Sequence, residues 1–247
     1  MFGNPIRRYQ GMNILLWVWT YLYKDTDGEI NKDAIKSRVT CNGGPRFCDK
    51  STLAETYAAC VEQPIHRLTW AIAAALNLVC KGYDVGNAFA EAPAPSYEFF
   101  MQPDDQFREW WTEHLHKPAL KPDEVIPIYH ALQGHPESPR LWDKYITKML
   151  VEEFDFETCT HESCLYYKRD DDNNLILITR QVDDLKVSAK DSQTCDKIAE
   201  AIQKRLTFLL NFLGTIRRFN GVDVKQTQNY NHIHCSTYIE KIVDHHN

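Results

Sequence analysis

Asp183 and Asp184 stand side by side in the stretch RQVDDLKV, Arg180–Val187, whose other residues read as β-strand. Aspartate is disfavoured in strands and adjacent like charges repel, so the pair asks for a reason. Two carboxylates within about 4 Å resist joint ionisation unless a cation sits between them. A hard divalent ion with oxygen ligands meets that need, and magnesium is the usual one where phosphates react. A third acid from another strand would complete such a clamp. Asp84 in YDVGNAF, Tyr83–Phe89, is the candidate, because it ends a predicted strand and precedes a turn. Two ions held by three acids can activate a 3′-hydroxyl and stabilise departing pyrophosphate in an in-line displacement. The plainer alternative, a solvated hairpin tip, stays open on the pattern alone, although apolar flanks are unusual for a surface turn.

These acids need rigid elements around them. Strands over Leu175–Val182 and Leu185–Ala189 place Asp183 and Asp184 at a hairpin tip, and Cys164–Lys168 supplies a further strand before the turn at Asp170–Asn174. A helix opens at Pro136–Pro139 and runs to about Glu153, with Leu141, Tyr145, Met149 and Leu150 as its apolar face. Asp191 or Ser192 caps a helix to about Leu206. Upstream, Glu62–Cys80 reads as a helix with Ile65, Leu68, Ile72, Ala75 and Leu76 at helical spacing. Lys81–Gly86 becomes a strand, and Pro93 and Pro95 forbid a long helix after it. Two N-terminal strands flank Asp27-Gly28, a mixed insert over Tyr97–Leu115 ends in an aromatic helix at Trp110 and Trp111, and Val125–Tyr129 is a short strand. A last hairpin, Phe219–Gln226 with Asn231–Cys235, leads to a short helix from Ser236. The order predicts an α+β fold with a split β-α-β antiparallel sheet covered by helices on one face.

Length and composition bound the rest. A chain of 247 residues is one large domain or two closely joined subdomains. Its net charge of −6 argues against general polyanion binding but is compatible with a local basic cleft. Eight scattered cysteines read as reduced thiols of an intracellular protein. A zinc site joining Cys159, His161 or Cys164 to His232, His234 or Cys235 is the sharper alternative, with irregular ligand spacing on both sides. MNILLWVWTYLY, Met12–Tyr23, is shorter than the 20 or so apolar residues a membrane span needs. No small-residue cleavage site follows it, so a strand is expected, with no signal peptide and no membrane partner.

Several of these stretches, in this order, resemble the reverse transcriptase domain of copia-type LTR retrotransposon polyproteins. DAIKSRVTCNGG, with Lys36 and Arg38, is similar to that family's fingers segment, and ETYAACVEQPIHRL to the stretch after it. YDVGNAF resembles the first catalytic motif, ALQGHPESPRLW the second, and SCLYYK with RQVDDLKV the strand pair bearing the catalytic Asp-Asp. FLGTIRRFNGVDV and QNYNHIHCSTYIEKIV are similar to the region that meets the primer. About fifty residues separate the first motif from ALQG, and about fifty more lead to the acid pair.

The resemblance implies an RNA-directed DNA polymerase of right-hand architecture using two Mg²⁺ ions, or Mn²⁺. Asp84, Asp183 and Asp184 would be its catalytic acids, with the Val85 carbonyl as a further metal ligand. Phe89 would be the aromatic gate against a nucleotide 2′-hydroxyl, with a core phenylalanine as the alternative. Gln133 and Gly134 would line the nucleotide and template pocket, and Lys36 and Arg38 would meet triphosphate or template phosphates, a solvated strand face being the alternative for these two. The implied partners are an RNA template, a DNA primer and deoxynucleoside triphosphates, in a cytoplasmic or particle-associated setting.

The implied organisation is fingers over 1–82, a first palm segment over 83–96, an insert over 97–124, the palm with its acid hairpin over 125–210, and a primer-proximal hairpin with the start of a connection over 211–247. The thumb is expected to be largely absent, and ribonuclease H and integrase segments to lie outside this chain. Two departures stand out. Gln181 replaces the commoner tyrosine, and His135-Pro136-Glu137 removes a lysine from the second motif. A truncated, inactive remnant that at most binds nucleic acid is the rival expectation.

Overall fold

The computed structural model describes residues 2–26, 29–44, 56–227 and 230–246. In chain order, β1 (Ile6–Arg7), β2 (Ile14–Thr26) and β3 (Glu29–Cys41) precede α1 (Gln63–Ala75), β4 (Val79–Val85) and the single-turn α2 (Ala88–Glu91). Next come β5 (Phe99–Gln102), α3 (Asp105–Glu113), β6 (Glu124–Ile128) and α4 (Ser138–Lys148), which ends in a π-turn over Met149–Glu153. Then follow β7 (Glu157–Cys159), β8 (Glu162–Arg169), β9 (Leu175–Gln181), β10 (Asp184–Ala189) and α5 (Ser192–Gln203). The chain closes with β11 (Leu210–Thr215), β12 (Arg218–Phe219), β13 (Val222–Gln226), β14 (Asn231–His234) and α6 (Ser236–His246). The fold is α+β. The Asp27-Gly28 turn and Cys48 lie outside the described residues; the other seven cysteines are free thiols. Among the described residues no helix is long and apolar enough to cross a membrane.

Two compact units divide the chain. The first comprises Met1–Tyr57 and Phe89–Trp142. Its sheet has the order β1-β6-β5-β2-β3, antiparallel throughout except for the parallel β2–β5 pair. Alternation along the strands buries Leu15, Phe99, Met101, Ile126 and Ile128 on one core. Helix α3 closes that core because Phe107 and Trp111, four residues apart, share one face. Asp104 starts the helix by accepting the Phe107 N–H at 2.8 Å, and Trp17 stacks on Phe107 with centroids 4.8 Å apart.

The second unit comprises Ala58–Ala88 and Asp143–Asn247. It holds a six-stranded antiparallel sheet, β11-β4-β10-β9-β8-β7, and a small sheet, β12-β13-β14. Helices meet both faces of the larger sheet rather than one. On one face, Asp196 of α5 bonds Lys81 and Tyr83, and α4 adds Asp143 against Arg180 and Thr147 against Tyr166. Residue alternation sends Lys186, the partner of Gly82, to the other face, where Thr69 and Trp70 of α1 receive it.

Two helical faces differ from the periodicity reading by one position. Helix α1 buries His66, Thr69, Trp70 and Ala73, while Leu68 and Leu76 are exposed. The polar His66 and Thr69 face inward because buried partners use them. The helix also ends at Ala75, not Cys80: Asn77 adopts φ +54°, Leu78 N–H bonds Ala73 O at 2.8 Å, and Asn77 N–H reaches Ala74 O. This left-handed cap releases Val79 early enough to start β4. In α4 the fully buried apolar positions are Trp142 and Ile146, followed by Met149 and Leu150; Leu141 and Tyr145 are only half-buried.

Candidate functional site

The hairpin β9–β10 turns through two residues, Val182 and Asp183, with Gln181 paired to Asp184. Val182 has φ +55°. A two-residue hairpin needs positive φ at its first turn position, where glycine is usual and a β-branched residue is an outlier. Such strain costs about 1–3 kcal/mol and persists where the surroundings over-determine it. Here the clamp is visible: the Asp183 carbonyl accepts the Val85 N–H from β4 at 2.9 Å.

That bond fixes the relation of the acids. Asp84 and Asp184 are register partners on β4 and β10. Because the bond joins Val85 to Asp183, Asp84 and Asp184 form a non-hydrogen-bonded pair, the type that brings opposed side chains closest. On the other side of β4, Asn211 of β11 is the register partner of Asp84. Its Nδ2 donates to Asp84 Oδ2 at 2.8 Å. Gln181, Asp184, Asp84 and Asn211 therefore form one cross-strand row on a single face, with Asp183 at its turn. All of these side chains are half-buried.

The electrostatics follow from that row. Burial, then the charges of Asp183 and Asp84, push the Asp184 carboxyl up to about 6. Below it on the same face, Lys186 is fully buried, donates from Nζ to Thr69 Oγ1 at 2.6 Å, and lies 4.3 Å from the Trp70 ring centroid. Desolvation lowers its pKa to about 8. His66, accepting from Trp70 Nε1 at 3.2 Å, is lowered to about 4 by burial and by the Lys186 and Arg67 charges.

The donor set suits a hard divalent cation: three carboxylates on two adjacent strands and their turn, with oxygen atoms only and mutual repulsion that a cation would relieve. Among the described residues, no three His, Cys, Asp or Glu side chains converge closely enough to hold an ion. The acids stand as neighbours in a row, with one Asp84 oxygen turned to Asn211. The cysteine and histidine candidates for a zinc site do not converge either, and Cys164 Sγ accepts from Arg180 at 3.3 Å.

The other predicted residues lie elsewhere. Phe89 is half-buried in α2 and accepts from the Ala92 N–H through its carbonyl. Lys36 and Arg38 belong to β3, opposite Leu22 and Thr20, and Arg38 is exposed. Gln133 is exposed, and its carbonyl accepts the Cys41 N–H at 2.9 Å. Gly134, at φ +93°, has no room for a Cβ against the Cys41 carbonyl. The close approach it permits is thus to its own chain, not only to a ligand. In the neighbouring departure, buried Glu137 accepts from both the N–H and hydroxyl of Ser96 at 3.0 Å. This residue has a structural task.

Asn211 and Lys186 went unnoticed in the sequence. Lys186 had a signal: a lysine alternating with apolar residues inside a predicted strand. Asn211 had none, because no strand was expected at Leu210–Thr215.

Comparison with known proteins places these residues in context. The family model described as reverse transcriptase (RNA-dependent DNA polymerase) matches residues 10–247. The chain is 23% identical over 239 residues to the retrovirus-related Pol polyprotein from transposon TNT 1-94 of Nicotiana tabacum, covering 95% of this chain and 17% of the polyprotein. It is 30% identical over 110 residues to a Saccharomyces cerevisiae protein named for transposon Ty5-1, covering 44% of this chain and 34% of that protein. The chain thus spans a minor part of each relative's length.

Proposed function

The chain belongs to the reverse transcriptase (RNA-dependent DNA polymerase) family, and from that premise we propose that it is the RNA-directed DNA polymerase domain of a copia-type retrotransposon polyprotein, with its chemistry at Asp84, Asp183 and Asp184. The observation that carries this reading is the close, non-hydrogen-bonded pairing of Asp84 with Asp184 beside a strained turn bearing Asp183. Like charges placed there lower stability unless function repays the cost.

In this reading Asp84, Asp183 and Asp184, with the Val85 carbonyl, hold two Mg²⁺ ions, Mn²⁺ being able to replace them. Bound there, such ions supply Lewis acidity for a primer 3′-hydroxyl and charge for the leaving pyrophosphate. The protein's part is placement: the ladder fixes the distance between β4 and β10, and the Val85–Asp183 bond holds the turn. Residues 83–96 and 125–210 serve as the palm, 1–82 with the insert 97–124 as the fingers, and 211–247 lead toward the primer. Phe89 serves as the gate against a 2′-hydroxyl, Gln133 and Gly134 line the nucleotide and template pocket, and Lys36 and Arg38 meet phosphates. The partners are an RNA template, a DNA primer and deoxynucleoside triphosphates.

The test is primer extension by the 247-residue chain on an RNA template with Mg²⁺, beside Asp183→Asn/Asp184→Asn. Incorporation by the wild type alone is expected; extension that survives the double substitution overturns the mechanism. The net charge of −6 and the unconverged acids favour a second reading, an inactive remnant. Salt-dependent RNA binding without incorporation is its signature.

A further inference from the structure

Each paired acid of the row has a neutral amide as its second neighbour, Gln181 beside Asp184 and Asn211 beside Asp84, and Asn211 donates to Asp84 Oδ2 at 2.8 Å. Asn211 and Asp84 are register partners, and the bond from Gly86 N–H to Leu209 O at 2.9 Å makes Val85/Leu210 the open pair and Asp84/Asn211 the hydrogen-bonded pair of that ladder. The backbone itself therefore sets the reach between the two side chains. The start of β11 is anchored from a third direction: Gln203 of α5 accepts the Leu210 N–H and donates to Phe208 O at 3.2 Å. Phe212 still pairs with Tyr83, and the ladder then breaks at a bulge between Phe212 and Gly214. The anchored part of the strand is thus the part that delivers Asn211, while Phe212 and Leu213 beside it are exposed.

We propose that Asn211 is a positioning residue for Asp84, holding Oδ2 through its amide so that the carboxylate presents one fixed face to a divalent cation. The inference rests on the metal-site reading above. The residue type fits the task. An unheld carboxylate opposite Asp184 would rotate away from the like charge. A lysine or arginine in place of Asn211 would stop that rotation but compete with the cation for the same charge. An amide donates one hydrogen bond and adds no charge. Partners that orient a metal ligand in this way are worth about 10–100-fold in affinity.

The experiment is a Mn²⁺ titration followed by electron paramagnetic resonance, with thermal unfolding of each metal-free chain as the fold control. The chains are wild type, Asp84→Asn, Asn211→Ala and the near-isosteric Asn211→Leu. Both Asn211 variants are expected to bind Mn²⁺ about tenfold or more weakly with unfolding midpoints near that of the wild type. Wild-type binding that Asp84→Asn abolishes, but both Asn211 variants retain unchanged, overturns the role of Asn211 alone. Binding that tightens in them also overturns it, by showing that the amide competes with the metal. Absence of any binding dependent on Asp84 overturns the site reading and the role together.

Discussion

Replacing Asp184 by asparagine should stabilise this protein. The substitution keeps the side chain's shape and removes a charge from a half-buried, non-hydrogen-bonded pair of acids. A carboxyl moved from 3.8 to about 6 costs the folded state about 3 kcal/mol when ionised, at about 1.36 kcal/mol per pH unit. Asp184 is partly exposed, so solvent screening lowers the expectation to about 1–2 kcal/mol. The folded state binds this proton more tightly than the unfolded state does. Its contribution to stability is therefore complete below pH 3.8 and is lost as pH rises through about 6. Urea denaturation in EDTA at pH 8 should show Asp184→Asn more stable than wild type. At pH 5 the gap should narrow to about half, and at pH 8 added Mg²⁺ should narrow it by stabilising the wild type. Equal or lower stability of the variant at pH 8 would refute the claim that burial and the neighbouring charges of Asp183 and Asp84 disfavour ionised Asp184.

Three further outcomes follow from the same face. Val182→Gly relieves the positive φ and should gain about 1 kcal/mol in urea denaturation, net of the entropy glycine adds to the unfolded chain; a loss would show that Val182 is unstrained. Lys186 is lowered to about 8 by burial, so its penalty is full below pH 8 and fades toward the ordinary lysine value. Lys186→Met should therefore stabilise by about 1–3 kcal/mol at pH 7, less the lost Thr69 bond and Trp70 contact, with the advantage shrinking above pH 8. His66 is lowered to about 4; the unfolded state takes up its proton first, so stability should fall as pH drops from 6.5 toward 4. His66→Gln, which retains an acceptor for Trp70, should flatten that part of the urea-midpoint profile.

The acid hairpin was legible because strand periodicity is two and the turn between β9 and β10 is short; the expected tip, Asp183–Asp184, lies one residue beyond the observed turn, Val182–Asp183. The helix faces were legible in kind but not in phase. Hydrophobic periodicity counts Leu68 toward the core and His66 and Thr69 toward solvent, and a buried lysine reverses that choice. Strand β11 was missed for a different reason. NFLGT lacks alternation, its register is broken by a bulge, and its partner β4 lies more than a hundred residues upstream. Glycine at 134 advertised a close approach, but nothing local to it names the Cys41 carbonyl as the group approached. The roles of Asp84, Val85, Asp183, Asp184, Phe89, Gln133, Gly134, Lys36 and Arg38 stand as proposals.

The position of β4 between β10 and β11 also sets the order in which the molecule can be made. Asp84 and Asn211 are 127 residues apart in sequence. At about 5–20 residues per second, ribosomal synthesis delivers the second roughly 6–25 s after the first. Both edges of β4 stay unpaired until β10 emerges, and one stays unpaired until β11 follows. Pairings of such sequence separation form slowly even in a finished chain. The acid row thus assembles late, and the nascent β4 depends on protection from stray strand pairing during that interval.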